Sequence, residues 1–102
     1  MTSYHVFFSA KAEADEPALI AATHALSAEL IAAGKIRSHR FLRITNPANF
    51  PELPRFQLIV DCADQTGLDA AMAHIRLHIH EGPHGEILRL VGDFKVSFSV
   101  DA

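Results

Sequence analysis

The order of the apolar segments constrains the fold of this chain more than any other feature. Six segments carry strand-like or helix-like patterns, in the order strand, helix, strand, strand, helix, strand. They cover residues 4–10, 16–33, 36–45, 55–63, a helix that starts at Thr66, and residues 94–100. This order predicts an α+β domain in which a four-stranded antiparallel sheet carries both helices on one face. Since the opposite face has no helix to cover it, we expect a second copy of the chain to lie there.

The signals at the segment ends support this assignment. Asp15 and Pro17 mark the start of the first helix, and Gly34 marks its end. Thr66 and Asp69 have the spacing of a capping box at the start of the second helix. Residues 84–92 are compatible with a short third helix before the last strand. Strand, helix and turn signals therefore agree with a ferredoxin-like β-α-β-β-α-β order.

The composition limits the classes of partner. The 102 residues form one predicted domain, 1–102, and the formal net charge is −3. Without a large basic cluster we expect no nucleic-acid partner. No apolar run approaches the roughly 20 residues of a membrane helix, and no signal peptide is evident, so we expect a cytoplasmic protein with no membrane contact. The single cysteine, Cys62, excludes an internal disulfide and is expected to be a buried apolar residue.

Alternation along the last two strands predicts the character of the uncovered face. One row of side chains should point toward the helices: Phe56, Leu58 and Val60 in the third strand, and Phe94, Val96, Phe98 and Val100 in the fourth. The other row holds Gln57, Ile59 and Asp61 in the third strand, and Lys95, Ser97 and Ser99 in the fourth. Strand one adds His5, Phe7 and Ser9 in one of its two registers, but both of its faces are apolar and the pattern alone does not decide between them.

This mixture of polar and apolar groups has two readings. It suits the wall of a pocket for a small apolar or aromatic molecule, with Phe7, Gln57, Ile59, Ser97 and Ser99 as the ligand-binding residues. It also suits a polar dimer interface that holds no ligand.

Seven histidines raise the question of a metal site. His74 and His78 are four residues apart and share one face of the second helix, which is a spacing that can ligate a transition metal. Glu81 is the nearest third ligand, and nothing in the spacing brings it to the pair. We therefore expect solvated imidazoles, with no metal and no cofactor, although the sequence leaves open whether His74, His78 and His80 bind an ion.

His5 and His84 form a second histidine pair of interest. His5 lies in the first strand, and His84 begins the segment that leads back to the sheet. If both reach one cavity, they are candidates for a general acid and base, because imidazole titrates near neutral pH. The alternative is that each is an ordinary hydrogen-bonded histidine.

Three segments resemble those of a known superfamily. They are the opening strand at residues 4–8, the stretch from Gly34 through residues 40–43, and the tail at residues 84–94. Together they resemble the dimeric α/β-barrel superfamily of ferredoxin-like proteins, and most of all its stress-responsive A/B-barrel domains and small bacterial members of unassigned function. The resemblance covers nearly the whole chain.

The resemblance implies a homodimer in which two sheets face each other and enclose a barrel. In polyketide-cyclase members, a histidine in the first strand and one before the short helix flank the pocket, and His5 and His84 are the matching positions here. The first expectation is a homodimeric protein that binds a small apolar or aromatic molecule in the barrel. The alternative is a cofactor-independent enzyme, cyclase-like or monooxygenase-like, with His5 and His84 as the acid/base pair.

Overall fold

The protein is described by a computed structural model that covers residues 1–102. Its elements follow the predicted order, with a third helix before the last strand. They are β1 (Thr2–Ala10), α1 (Glu16–Ala32), β2 (Ser38–Arg43), β3 (Phe56–Cys62), α2 (Gln65–Leu77), α3 (Gly82–Leu90) and β4 (Val91–Val100). The ferredoxin-like α+β fold is therefore confirmed. None of the helices combines the length and the apolar character needed to cross a bilayer.

The four strands form one antiparallel sheet in the order β2-β3-β1-β4. The first strand is central, so its backbone hydrogen-bonding groups are paired along both edges, with β3 on one side and β4 on the other. Tyr4 pairs with Val60 on one side and with Phe98 on the other. The first and last strands of the chain are thus neighbours along their whole length.

The core lies between one face of the sheet and the helices. Phe8 and Phe56 from the sheet are almost fully buried against Leu19 of α1 and Leu68 of α2. The short helix α3 packs against α1 and adds Leu90 to the same cluster. One apolar layer therefore joins every helix to the sheet.

Two hydroxyl groups are buried within α1 without a loss of hydrogen bonds. Thr23 donates to the carbonyl oxygen of Leu19 at 2.8 Å, and Ser27 donates to that of Thr23 at 3.0 Å. Both residues are almost completely inaccessible to solvent. The helix backbone thus supplies the acceptors that a buried hydroxyl requires.

The ends of the helices correct one prediction and confirm another. The N-cap of α2 is Asp64, whose carboxylate accepts a hydrogen bond from the Gly67 amide at 2.8 Å, so the capping box predicted from Thr66 is wrong. Asp64 lies in extended backbone just outside the helix, where a short acceptor can reach the free amides. After α1, Gly34 has a φ of +67°, the left-handed conformation expected of a helix-ending glycine.

The last strand differs from its prediction in burial. Phe94, Val96, Phe98 and Val100 do lie on the helical side of the sheet, but all are exposed, by 62%, 41%, 59% and 69% respectively. Neither long helix packs along β4, because both lie over β1, β2 and β3. Alternation thus predicts the side of the sheet to which these residues point, and they are uncovered because β4 is an edge strand along which neither long helix packs.

Candidate functional site

The face of the sheet that points away from the helices, termed the open face, consists of three cross-strand rows. The strand register aligns Ser38, Asp61, Ser3 and Ser99 in the first row; Arg40, Ile59, His5 and Ser97 in the second; and Leu42, Gln57, Phe7 and Lys95 in the third. His5 and all five residues predicted to bind a ligand are on this face. The register of β1, which the sequence left undecided, is thereby resolved.

His5 lies at the centre of a hydrogen-bonded cluster on the open face. Its Nε2 is 2.8 Å from the Ser99 hydroxyl, and its Nδ1 is 3.5 Å from the side-chain nitrogen of Gln57. An amide nitrogen can only donate, so Nδ1 accepts and the ring proton is on Nε2, where it donates to Ser99. Since β3 and β4 flank β1, the imidazole is held from both sides in one orientation.

Asp61 lies at the centre of a second cluster in the adjacent row. Its two carboxylate oxygens accept hydrogen bonds from Ser3 at 2.6 Å and from Ser38 at 3.0 Å. No lysine or arginine forms an ion pair with it. Two hydroxyls from the strands on either side therefore fix the position of a negative charge that is only partly exposed.

Between and below these clusters the face is apolar. Ile59 lies between Arg40 and His5, and Phe7 lies between Gln57 and Lys95. Ile59 and Phe7 are half-buried in the single chain. Neither Arg40 nor Lys95 takes part in an ion pair, so both cations border the apolar centre with free charged groups.

The structure does not bring His84 to this face. His84 lies in the first turn of α3, and its Nδ1 donates to the carbonyl oxygen of Ile79 at 2.8 Å. The helix that carries His84 packs against α1 on the helical side, whereas His5 belongs to the open face. Within one chain the two histidines belong to different layers and share no hydrogen bond.

The helical side of the molecule carries two shallow cavities. One of about 320 Å³ lies between α2 and β4 and is bordered by Met72, Arg76 and Phe98. One of about 180 Å³ lies between α1 and β2, next to His24 and Phe41. Neither holds any of the predicted site residues.

Two acidic groups on the helical side of the sheet are shifted toward their neutral forms. Burial raises the pKa of the Tyr4 phenol. Burial, followed by the negative charges of Asp61 and Asp64, raises the pKa of the Cys62 thiol. Cys62 is 2% exposed and behaves as the buried apolar residue expected from sequence, with a thiol rather than a thiolate near neutral pH.

Sequence reasoning missed the Asp61 cluster. Alternation placed Asp61 on the open face, but its role depends on Ser3 and Ser38, which are 58 and 23 residues away. Only the strand register makes these three residues neighbours. A polar residue in each of three strands at matching positions is the signal that could have found them, and it requires the pairing to be known.

The comparisons with known proteins agree with this geometry. The sequence profile of a family of unknown function, DUF6614, matches residues 1–99. The chain belongs to this family. No curated protein matches its sequence.

Solved structures share the fold of this DUF6614 member across its whole length. The protein At3g17210 from Arabidopsis thaliana superimposes with a TM-score of 0.78 at 8% identity, over 100% of this chain and 96% of that one. A DABB family protein with a ferredoxin-like fold from Mesorhizobium loti has a TM-score of 0.71 at 17% identity, covering 99% and 96%. A dimeric ferredoxin-like protein of unknown function from Jannaschia has a TM-score of 0.71 at 14% identity, covering 99% and 100%. The resemblance inferred from the sequence is thus confirmed as a likeness of fold.

Proposed function

We propose that the protein is a homodimer whose two open faces meet and enclose a barrel that binds a small apolar or aromatic molecule. The observation that carries the proposal is the composition of the open face. An apolar centre with Phe7 and Ile59 lies beside the His5 and Asp61 clusters, whose polar atoms already have hydrogen-bond partners within the chain. Similarity to proteins described as dimeric ferredoxin-like supports the same assembly.

The physical argument for association concerns apolar area. Burial stabilises by about 25 cal/mol for each Å² of apolar surface removed from water. Ile59 and Phe7 are only half-buried in the single chain, so covering them in a dimer would remove further apolar surface from water. The polar clusters do not oppose association, because the ring nitrogens of His5 and the carboxylate of Asp61 keep their partners.

The same features favour a ligand over a solid interface. A pocket bordered by apolar side chains with a few oriented polar groups is the usual form of a small-molecule site. Phe7 and Ile59 would contact an apolar or aromatic body, and Gln57, Ser97 and Ser99 would orient its polar substituent.

A catalytic role is the second candidate, and it rests on the fixed orientation of His5. An imidazole with a hydroxyl 2.8 Å from Nε2 can exchange a proton with a ligand that takes the place of that hydroxyl. Since His84 lies in the helical layer, His5 acts in this candidate without it. Fold similarity does not choose between binding and catalysis.

The dimer is tested by placing a charge at the centre of the open face. We expect Ile59→Lys to convert a dimer into a monomer, because a buried ammonium without a partner is far more costly than the lost contact. The matched control is Ile31→Lys, the same substitution at a residue of α1 that is 43% exposed on the other side of the molecule. Light scattering coupled to size exclusion measures the mass of each variant, and circular dichroism confirms the fold.

A wild-type protein that is monomeric at tens of micromolar, or an Ile59→Lys variant that stays dimeric, contradicts the proposed assembly. Native mass spectrometry of freshly purified protein tests the ligand separately. We expect a dimer that carries additional mass, which is lost in Ile59→Lys and kept in Ile31→Lys. A dimer of bare chains supports the assembly and removes the support for a retained ligand.

A further inference from the structure

The C-terminal end of α2 brings two histidine rings together in a geometry that neither the open face nor the proposed barrel uses. His74 lies in the last turn of the helix, and His78 is its C-cap. Their ring centroids are 5.2 Å apart, with an angle of 59° between the planes. Two imidazoles that share one ion at a metal–nitrogen distance of about 2.0–2.1 Å have centroids about 5 Å apart. The separation of the two ring centroids is thus compatible with joint ligation of one ion.

A carboxylate orients one of the two rings. Nδ1 of His78 is 3.0 Å from a carboxylate oxygen of Glu81. A carboxylate accepts from the N–H, so the proton of His78 is on Nδ1 and the lone pair is on Nε2. Histidines that bind metals commonly donate their other nitrogen to a carboxylate in this way, which fixes the ring and increases its basicity as a ligand.

The backbone holds this arrangement in place. The amide of His78 donates to the carbonyl of Ile75 at 3.2 Å, and the amide of Glu81 donates to the carbonyl of His78 at 3.0 Å. His78 and Glu81 are therefore joined by a hydrogen-bonded turn as well as by their side chains. His74 makes no hydrogen bond to another side chain, and both rings are accessible to solvent.

The local charge also favours a cation. The rings lie at the C-terminal end of α2, where free carbonyl groups and the helix dipole create a negative potential. Glu81 adds a negative charge. Arg76 is two residues from each histidine in the chain, and residues at that spacing do not face each other on a helix.

We propose that His74 and His78 form a two-histidine site for a divalent transition metal ion of the zinc or nickel type, with Glu81 as the positioning residue. No third histidine, cysteine or carboxylate completes a ligand set, so water fills the remaining positions. The site is exposed and labile, and a bound ion links the last turn of α2 to its C-cap. This revises the expectation of solvated imidazoles, because the spacing of the histidines is readable in the sequence and the contact between His78 and Glu81 is not.

Isothermal titration of the untagged protein with ZnCl2, and separately with NiCl2, tests the site. We expect one ion per chain, with His74→Gln and His78→Gln each weakening binding by at least about tenfold. Loss of an outer-shell partner of a ligand typically costs about 10–100-fold in affinity, so Glu81→Gln is expected near the lower end of that range. The matched control is His80→Gln, a neighbouring exposed histidine outside the pair, which should leave the affinity within about twofold of wild type.

A thermal melt with and without ZnCl2 provides a second readout. A ligand that binds only the folded state raises Tm, and the rise should disappear in the His74→Gln/His78→Gln double variant. The proposal is overturned if that double variant binds as tightly as wild type, or if His80→Gln weakens binding as much as His74→Gln does. It is also overturned if the wild-type protein gives neither a titration heat nor a shift in Tm.

Discussion

The two faces of the sheet are made by the same strands, yet they differ in almost every physical respect. On the helical side, Phe8 pairs with Phe56 and both are almost fully buried. On the open side, His5 and Asp61 are half-buried, and each is held by hydrogen bonds from the neighbouring strands. Because side chains alternate between the two faces, residues that stabilise the core and residues of the candidate site occupy alternate positions along the same strand.

The edge strand shows that alternation is not sufficient for burial. Phe56 and Phe98 both point to the helical side, but Phe56 is 1% exposed and Phe98 is 59% exposed. The difference lies in the position of the strands, because β3 is inside the sheet under the helices and β4 is at its edge. Strand position, which the pattern of one segment does not report, decides how much apolar area is removed from water.

The largest expected effect tests this difference between two phenylalanines. Phe56→Ala removes a side chain packed against Phe8 and Phe41, so we expect the free energy of unfolding to fall by about 3–5 kcal/mol. Phe98→Ala, the same substitution at a mostly exposed position, should cost less than about 1 kcal/mol in the monomeric protein. Urea denaturation followed by circular dichroism gives both values.

The Ile59→Lys variant supplies the monomeric background for that comparison. A similar loss for both phenylalanines in this background would mean that β4 is covered within a single chain. Equal losses only in the dimer would instead mean that the partner covers β4.

A smaller effect is expected for the polar pairs on the open face. Ser3→Ala removes one of the two hydroxyls that bind the Asp61 carboxylate, and we expect a loss of about 1 kcal/mol. Ser97→Ala is the control, since it lies on the same face and its hydroxyl makes no hydrogen bond with another side chain. If both substitutions cost the same in urea denaturation, the Asp61 cluster contributes nothing specific to stability.

A pH-dependent effect is expected from a titratable group in the core. The raised pKa of Cys62 means that the unfolded chain releases the thiol proton at a lower pH than the folded one. Stability is therefore complete below the ordinary thiol pKa of about 8.5 and declines as pH rises above it, by at most about 1.4 kcal/mol for each pH unit.

Urea unfolding at pH 7.5 and pH 9.5 checks this expectation. We expect Cys62→Ala to lose less stability than the wild-type protein between the two values. Tyr4, whose pKa is also raised by burial, is present in both proteins, so the loss caused by its ionisation in the unfolded chain cancels in this comparison. Parallel losses in the two proteins would show that the thiol ionises equally in the folded and unfolded states.

Much of the fold could be predicted from the sequence. The element order followed from periodicity, and the two faces of β3 and β4 followed from alternation. The cap of α2 was misplaced by two residues, because Asp64 and Thr66 are both good capping residues and only the backbone conformation distinguishes them. Local patterns thus identified the elements more reliably than their ends.

The candidate site was less predictable because it depends on distant pairings. The positions of Gln57 and Ser99 on one face were readable, but their contact with His5 requires the register of three strands. The pairing of His5 with His84 was inferred from the resemblance and from position in the chain. The packing of α3 against α1, which separates them, comes from apolar contacts of Leu90 and Ile87 that carry no local signal.

The pairing of β1 with β4 has a consequence for biosynthesis. The ribosome makes the central strand first and its outer neighbour last, so a nascent chain that ends before residue 91 leaves one edge of β1 without hydrogen-bond partners. A sheet assembled from such distant segments forms slowly, since the loop must close before the contacts stabilise it. During translation the free edge of residues 2–10 is therefore open to pairing with another nascent copy until residues 91–100 emerge and pair with it.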